Sequence, residues 1–193
     1  MHIQSKPSIQ GIFKARMTFL SGTLLSLLLF ESALAAEAIA PGANDPISGL
    51  SIDNFSPVTD AMLQNPDPAD WLMWRRTLNS WGHSPLDQIN TDNVGQLRMV
   101  WTRGLDDGIQ EGTALVHDGI MFFPNPMDVI QAIDARTGDL IWEYNRRLPD
   151  DLRDYFPVPD INRNLAIYDD LIIDTSADDY IYALNARSGE LVW

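Results

Sequence analysis

Five aspartates, Asp169, Asp170, Asp174, Asp178 and Asp179, form the densest group of chemistry-bearing side chains in this 193-residue sequence. Carboxylates that crowded invite a calcium ion. They lack the Asp-x-Asp-x-Asp-Gly spacing of a calcium loop, so acids of hairpin turns are the better account. His83 and His117 stand far apart and lack metal-ligand spacing. No nucleophile elbow, phosphate loop or dinucleotide-binding glycine loop occurs. There is no cysteine, which excludes disulfides, thiolate metal sites, covalent haem attachment and lipid modification at Cys. Two further charges are Glu111 and Arg163. An arginine offers a planar fork of donors to carboxylates and polar ring oxygens. By chemistry alone Glu111 reads equally as a solvated turn acid, and Arg163 as the partner of a surface carboxylate, since most charged residues are exposed.

What could position such residues is a run of short strands. From Thr113 the hydrophobic period becomes two, the signature of half-buried strands. Thr113–Val116 and Gly119–Phe123 flank His117-Asp118-Gly119, and Asp-Gly between apolar runs predicts a hairpin. Val129–Asp134 and Leu140–Tyr144 flank Thr137-Gly138. Leu165–Tyr168 and Leu171–Asp174 flank Asp169-Asp170, and Tyr180–Asn185 and Glu190–Trp193 flank Ser188-Gly189. Upstream, a helical turn is predicted at Asp60–Leu63. A second falls within Ile89–Trp101, capped by Thr91 or Asp92 and followed by a strand at Arg98–Thr102. Trp71, Trp74 and Trp81 are expected to pack a mobile arm, residues 36–69, against the body at 70–193.

The first 35 residues read as a secretory signal. Lys6, Lys14 and Arg16 precede the apolar run Met17–Phe30, and Ala33-Leu34-Ala35 marks cleavage before Ala36. The run is shorter than the ~20 residues of a membrane span, so no transmembrane segment is expected after cleavage, and the mature chain is expected in the periplasm. A formal charge of −14 argues against a nucleic-acid partner, which needs a basic face.

An internal repeat decides the architecture. Residues 130–142 (IQAIDARTGDLIW) match residues 181–193 (IYALNARSGELVW) at an offset of 51, with seven identities in thirteen positions. Each copy is strand, tight turn, strand, with a Trp at its end. Ala132 and Ala183 are small enough for a neighbouring sheet to approach. Asp134 and Asn185 can accept from the turn amides, and Gly138 and Gly189 supply positive φ. Trp142 and Trp193 can fill the wedge between sheets while the indole N–H finds a backbone acceptor. Four strands per repeat, radially stacked, describe an all-β propeller, here about two blades and an N-terminal arm.

The unit Ala-x-Asp-Ala-x-Thr-Gly-x-x-x-Trp resembles the tryptophan-docking motif of pyrroloquinoline quinone (PQQ) dehydrogenases. Residues 84–97 (SPLDQINTDNVGQL), with Trp101, and residues 111–121 (EGTALVHDGIM) are similar to the N-terminal part of the methanol/ethanol dehydrogenase family. The resemblance covers about Asp70–Trp193. It implies an eight-bladed propeller holding PQQ and Ca²⁺ or a lanthanide, which oxidises alcohols in the periplasm and passes electrons to a cytochrome c or a quinone. It implies cofactor contacts at Glu111 and Arg163, the latter within Asn162-Arg163-Asn164.

Departures accompany the likeness. Many family members carry two adjacent cysteines before that arginine, where this sequence has Pro157-Val158-Pro159-Asp160. The family's metal ligands, catalytic Asp and stacking Trp fall in later blades, so no catalytic residue and no metal ligand is assigned here. The chain is expected to be an N-terminal piece, inactive and poorly stable alone, because repeat proteins need neighbours and caps. The rival reading is a non-catalytic propeller that binds partner proteins in the cell envelope.

Overall fold

A computed structural model describes residues 52–158 and 161–193. The expected signal segment and the arm up to residue 51 lie outside the described residues, as do Pro159 and Asp160. Among the described residues no helix is long and apolar enough to cross a membrane.

Two antiparallel meanders carry the fold. The first sheet has the order β1 (Leu115–His117), β2 (Ile120–Asn125), β3 (Val129–Asp134), β4 (Leu140–Asn145). The second has β5 (Ala166–Tyr168), β6 (Leu171–Thr175), β7 (Ile181–Asn185). Both opening hairpins turn through left-handed backbone. Asp118 and Gly119 take φ of 50° and 77°, and Asp169 takes 53°, the twist that matches tight hairpins. Two short helices, α1 (Asp60–Gln64) and α2 (Leu152–Tyr155), lie outside the sheets. The Thr59 side chain caps α1 by accepting from Met62 N.

Both copies of the repeat build the same turn. Asp134 Oδ1 accepts from Arg136 N and Thr137 N at 2.8 and 3.1 Å. Asn185 Oδ1 accepts from Arg187 N and Ser188 N at 2.9 and 3.1 Å. Both copies also carry the same bulge. Ala132 pairs with Trp142 and Ile133 with Leu140, leaving Ile141 unpaired. In the second copy Val192 N and Trp193 N both reach Ala183 O, at 2.8 and 3.5 Å, while Leu184 bridges Leu191. Two residues oppose one, which interrupts the ladder. Glu190–Trp193, expected as a strand, therefore forms one bridge instead.

The sheets join through indoles. Trp142 is fully buried, and its Nε1 donates to Ala186 O at 3.0 Å in the turn of the next copy. Its ring covers Gly189, where an added Cβ would sit 2.7 Å from Trp142 Cδ2. Trp101 repeats the arrangement one sheet earlier: its Nε1 donates to Ala135 O at 3.2 Å, and a Cβ on Gly138 would meet its ring at 2.6 Å. The docked pair is thus Trp101 and Trp142. Trp193 is half exposed, and no following turn lies among the described residues to receive it.

The core lies between the sheets and under the N-terminal segment. Phe122, Ile130, Ala132, Trp142 and Tyr144 of the first sheet meet Ile172, Tyr182, Leu184 and Ala186 of the second. Tyr144 and Tyr182 pack with their rings tilted by 35° and 5.6 Å between centroids. An aromatic ring buries roughly 150–250 Å², about 4 kcal/mol or more of transfer free energy before ordering entropy.

Several expectations need correction. Residues 52–69 are no loose arm: Ile52, Phe55 and Val58 are core residues, and Val58 exchanges backbone hydrogen bonds with Asp169. Leu72 is buried, while Trp74 and Trp81 are exposed, so a leucine does the packing assigned to tryptophans. Trp71 bridges Val116 through its backbone. The second helical turn is a 3-10 turn at Val94–Gln96 with Asn93 at its N-cap and no side-chain cap bond. Asn93 Oδ1 instead accepts from Asn90 N, and Asn90 Oδ1 from Asp92 N, so two asparagines shape what Thr91 or Asp92 was expected to cap. Arg98–Thr102 forms no strand, because no ladder partner runs beside it among the described residues.

Candidate functional site

Glu111 and Arg163 are 52 residues apart and meet. Arg163 Nε donates to Glu111 Oε2 at 2.7 Å. Both side chains remain open, 60% and 44% exposed respectively. Each residue lies just before the first strand of its sheet, Glu111 ahead of β1 and Arg163 ahead of β5. The backbone locks the two lead-in segments together, since Thr113 N donates to Arg163 O at 3.0 Å. Gln110 fastens the acid's own loop: its Oε1 accepts from Gly112 N at 2.8 Å and its Nε2 donates to Pro124 O at 3.2 Å. Gly112 is required there, because a Cβ would sit 2.7 Å from Pro124 O. One guanidinium nitrogen is engaged. Its Nη1 and Nη2 make no hydrogen bond among the described residues, so the fork still faces outward with donors to offer an anionic or carbonyl-rich ligand.

Beneath this exposed pair lies a buried polar layer. Antiparallel strands reverse, so the lead-ins of β1 and β5 share one end of the sheets with the exits of β2 and β6. Asn162 is buried and its Nδ2 donates to Asp174 Oδ2 at 2.7 Å. Tyr182 Oη donates to the same oxygen at 2.8 Å, and Thr175 N donates to Oδ1 at 2.8 Å. Burial pushes the Asp174 carboxyl up to about 6, against the pull of the Tyr182 and Asn162 hydrogen bonds. Asp174 was expected among turn acids. It sits instead inside β6, in phase with Ile172, so strand alternation turns it inward.

A second buried group joins the two sheets. Ser176 Oγ donates to Asp128 Oδ2 at 2.5 Å and accepts from Arg146 Nε at 3.0 Å. Arg146 also pairs with Asp178 through Nη2 at 2.7 Å and lies over the Tyr180 ring. Burial raises the Asp128 carboxyl above its ordinary range. Met127 and Asp128 take φ of 63° and 55°, left-handed values that are uncommon for such residues. Asp178 is an ion-pair partner that also stands in the turn between β6 and β7, Asp170 stands in the turn between β5 and β6, and Asp169 and Asp179 take positive φ in those connections. Among the described residues no group of three or more His, Cys, Asp or Glu could hold a metal ion.

His117 lies at the other end of β1. Its Nδ1 meets Asp70 Oδ2 at 2.8 Å and its Nε2 meets Ser56 O at 2.9 Å. Phe55 packs edge-on against the ring. It clamps the N-terminal segment to the first sheet. Its partners lie 47 and 61 positions away in the chain, outside the reach of any local spacing.

The family model described as "PQQ: Glucose/ethanol/alcohol dehydrogenase, beta-propeller domain" matches residues 71–193. The chain is 39% identical over 187 residues to the dehydrogenase subunit of alcohol dehydrogenase (quinone) from Gluconacetobacter polyoxogenes, covering 96% of this chain and 24% of that protein. It is 42% identical over 164 residues to 1-butanol dehydrogenase (quinone) from Thauera butanivorans, covering 83% of this chain and 26% of that protein. Among solved structures, quinohemoprotein alcohol dehydrogenase ADHIIG from Pseudomonas putida HK5 superposes with a TM-score of 0.64 at 32% identity, over 74% of this chain and 21% of that one. A europium-containing methanol dehydrogenase superposes with a TM-score of 0.63 at 27% identity, over 69% of this chain and 24% of that one. The chain spans about a quarter of the length of the curated relatives it matches.

Proposed function

We propose, from the premise that this chain belongs to the PQQ β-propeller family of glucose, ethanol and alcohol dehydrogenases, that it supplies the first two sheets of a quinone-dependent alcohol dehydrogenase. In this reading Glu111 and Arg163 hold PQQ. The observation that carries it is their 2.7 Å pairing across two sheets with the arginine fork still exposed. An exposed guanidinium with free donors suits a group rich in carboxylates and ring oxygens. Its acidic neighbour limits how many anions gather there and fixes the direction of the fork.

The division of labour follows from chemistry. PQQ, when bound, is the two-electron acceptor, and a Ca²⁺ or lanthanide ion beside it acts as a Lewis acid. The protein binds, orients and excludes water. In this chain Arg163 would donate to the cofactor, Glu111 would orient Arg163, and the docked Trp101 and Trp142 would hold the sheets in register. We place the metal ligands and the proton-accepting carboxylate in further blades, with a cytochrome c or a quinone as electron acceptor. Secretion to the periplasm accords with Lys6, Lys14, Arg16 and the apolar run that follows them.

The test uses the product of the full reading frame that contains this chain. Reconstituted with PQQ and either Ca²⁺ or a lanthanide, it should reduce an artificial electron acceptor in proportion to added primary alcohol. A protein that binds no PQQ under either metal would instead support the envelope-scaffold reading.

A further inference from the structure

We infer that Asp174, with Tyr182 beside it, is a positioning residue for Arg163 and acts through Asn162. The inference rests on reading Arg163 as a cofactor contact. Its starting point is a break in the repeat. At the offset of 51, Asn162 occupies the place of Glu111, and Arg163 the place of Gly112. In the first copy that place carries an exposed acid. In the second it carries a buried amide. Asn162 is buried while Arg163, next to it in the chain, is exposed, so the two side chains face different environments. Drawing Asn162 inward therefore turns Arg163 outward, toward Glu111.

What draws Asn162 inward is Asp174. Its Oδ2 accepts from Asn162 Nδ2 at 2.7 Å and from Tyr182 Oη at 2.8 Å. Asp174 and Tyr182 are paired residues of β6 and β7, so the acceptor stands on rigid sheet rather than on a loop. A buried carboxylate is costly to keep, and an apolar residue in phase with Ile172 would pack there at less expense. Nothing in the proposed chemistry touches Asp174 directly. Its use is the placement of Arg163, in the way that outer-shell groups commonly orient the residues that bind.

Protonation weakens that hold. The ionised carboxyl offers acceptors to all three donors, from Asn162, Tyr182 and Thr175 N. A proton on Oδ2 competes with Asn162 for the same lone pairs. The titratable groups facing Asp174 are the phenol of Tyr182 from β7 and the carboxylate of Asp128 from the turn between β2 and β3, both of which enter its titration. Asp128 repels a second anion nearby, so it favours the proton.

The test is PQQ affinity across about pH 5 to 8, read by quenching of tryptophan fluorescence in the full reading-frame product with Ca²⁺ present. The parent should lose affinity several-fold as pH falls through about 6. Asp174→Asn, which cannot titrate, should give a flat profile. Asn162→Ala should bind about tenfold more weakly at neutral pH, and it decides the matter if Asp174→Asn does not fold. Arg163→Ala separates the two readings. Weak binding by Arg163→Ala, with a parent-like profile in Asp174→Asn and parent-like affinity in Asn162→Ala, would overturn the positioning role alone. Parent-like binding by Arg163→Ala would overturn the cofactor reading of that site as well.

Discussion

The indole of Trp142 lies against the α-carbon of Gly189, so close that a methyl group there would stand 2.7 Å from Cδ2. The N–H of the same ring donates to Ala186 O at 3.0 Å. One side chain therefore reads both the absence of a side chain and the position of a carbonyl in the neighbouring turn. That double requirement ties the repeat in the sequence to the joint between sheets.

Gly189→Ala should destabilise the protein by about 2–4 kcal/mol, combining left-handed strain with overpacking of the ring. Gly119→Ala is the control. Gly119 also has positive φ, but nothing lies within 4 Å of its added Cβ, so about 1 kcal/mol is expected. Denaturant unfolding of the two variants measures the difference. Equal losses would mean that the ring does not dock on Gly189.

Glu111→Gln and Arg163→Ala should change stability by less than about 1 kcal/mol, because the pair is exposed and solvent screens it. Their effect should fall on PQQ affinity. A stability loss comparable to that of a core substitution would mark the pair as structural. Unfolding curves and cofactor titration on the same preparations distinguish the two.

Asp174 gives a pH dependence of definite sign. Folding raises its carboxyl from the ordinary 3.8 to about 6, so the folded chain holds the extra proton between those values. Its contribution to folding is complete below about pH 3.8 and is lost as pH rises through about 6. Asp174→Asn should therefore gain stability over the parent between about pH 4.5 and 7.5, by on the order of 2 kcal/mol. A difference that stays constant over that range would contradict the buried titration.

His117→Ala should cost about 2–4 kcal/mol, from the lost ring and from the buried Asp70 carboxylate left without its partner. It should also free residues 52–70 to faster amide exchange than the sheets, since the imidazole bonds both Asp70 and Ser56. Uniform exchange throughout would count against a clamp.

Much of this fold was legible because its signals are local. The turn residues Asp134, Gly138, Asn185 and Gly189 announce themselves by type and spacing, and period-two alternation shows in β1, β4, β5 and β6, while β3 and β7 are buried through most of their length. What escaped depends on partners distant in sequence. Trp74 and Trp81 look like core residues, yet they are exposed, because aromatic character does not reveal which face meets a neighbour. Arg98–Thr102 has strand composition without a ladder partner. Asp174 reads as a turn acid because its neighbours Asp169, Asp170, Asp178 and Asp179 are acidic. The alternation Ile172, Asp174 was the available signal that it faces inward. That Glu111 meets Arg163 could not be read from either residue, since it requires knowing that two copies lie side by side.

The most direct test is the distance from the Arg163 guanidinium to the nearest cofactor oxygen in a crystal structure of the full reading-frame product grown with PQQ. We expect a hydrogen bond of about 2.7–3.2 Å, with Glu111 still on the other side of the arginine. A cofactor bound elsewhere, with Arg163 in contact only with Glu111 and solvent, would contradict the account.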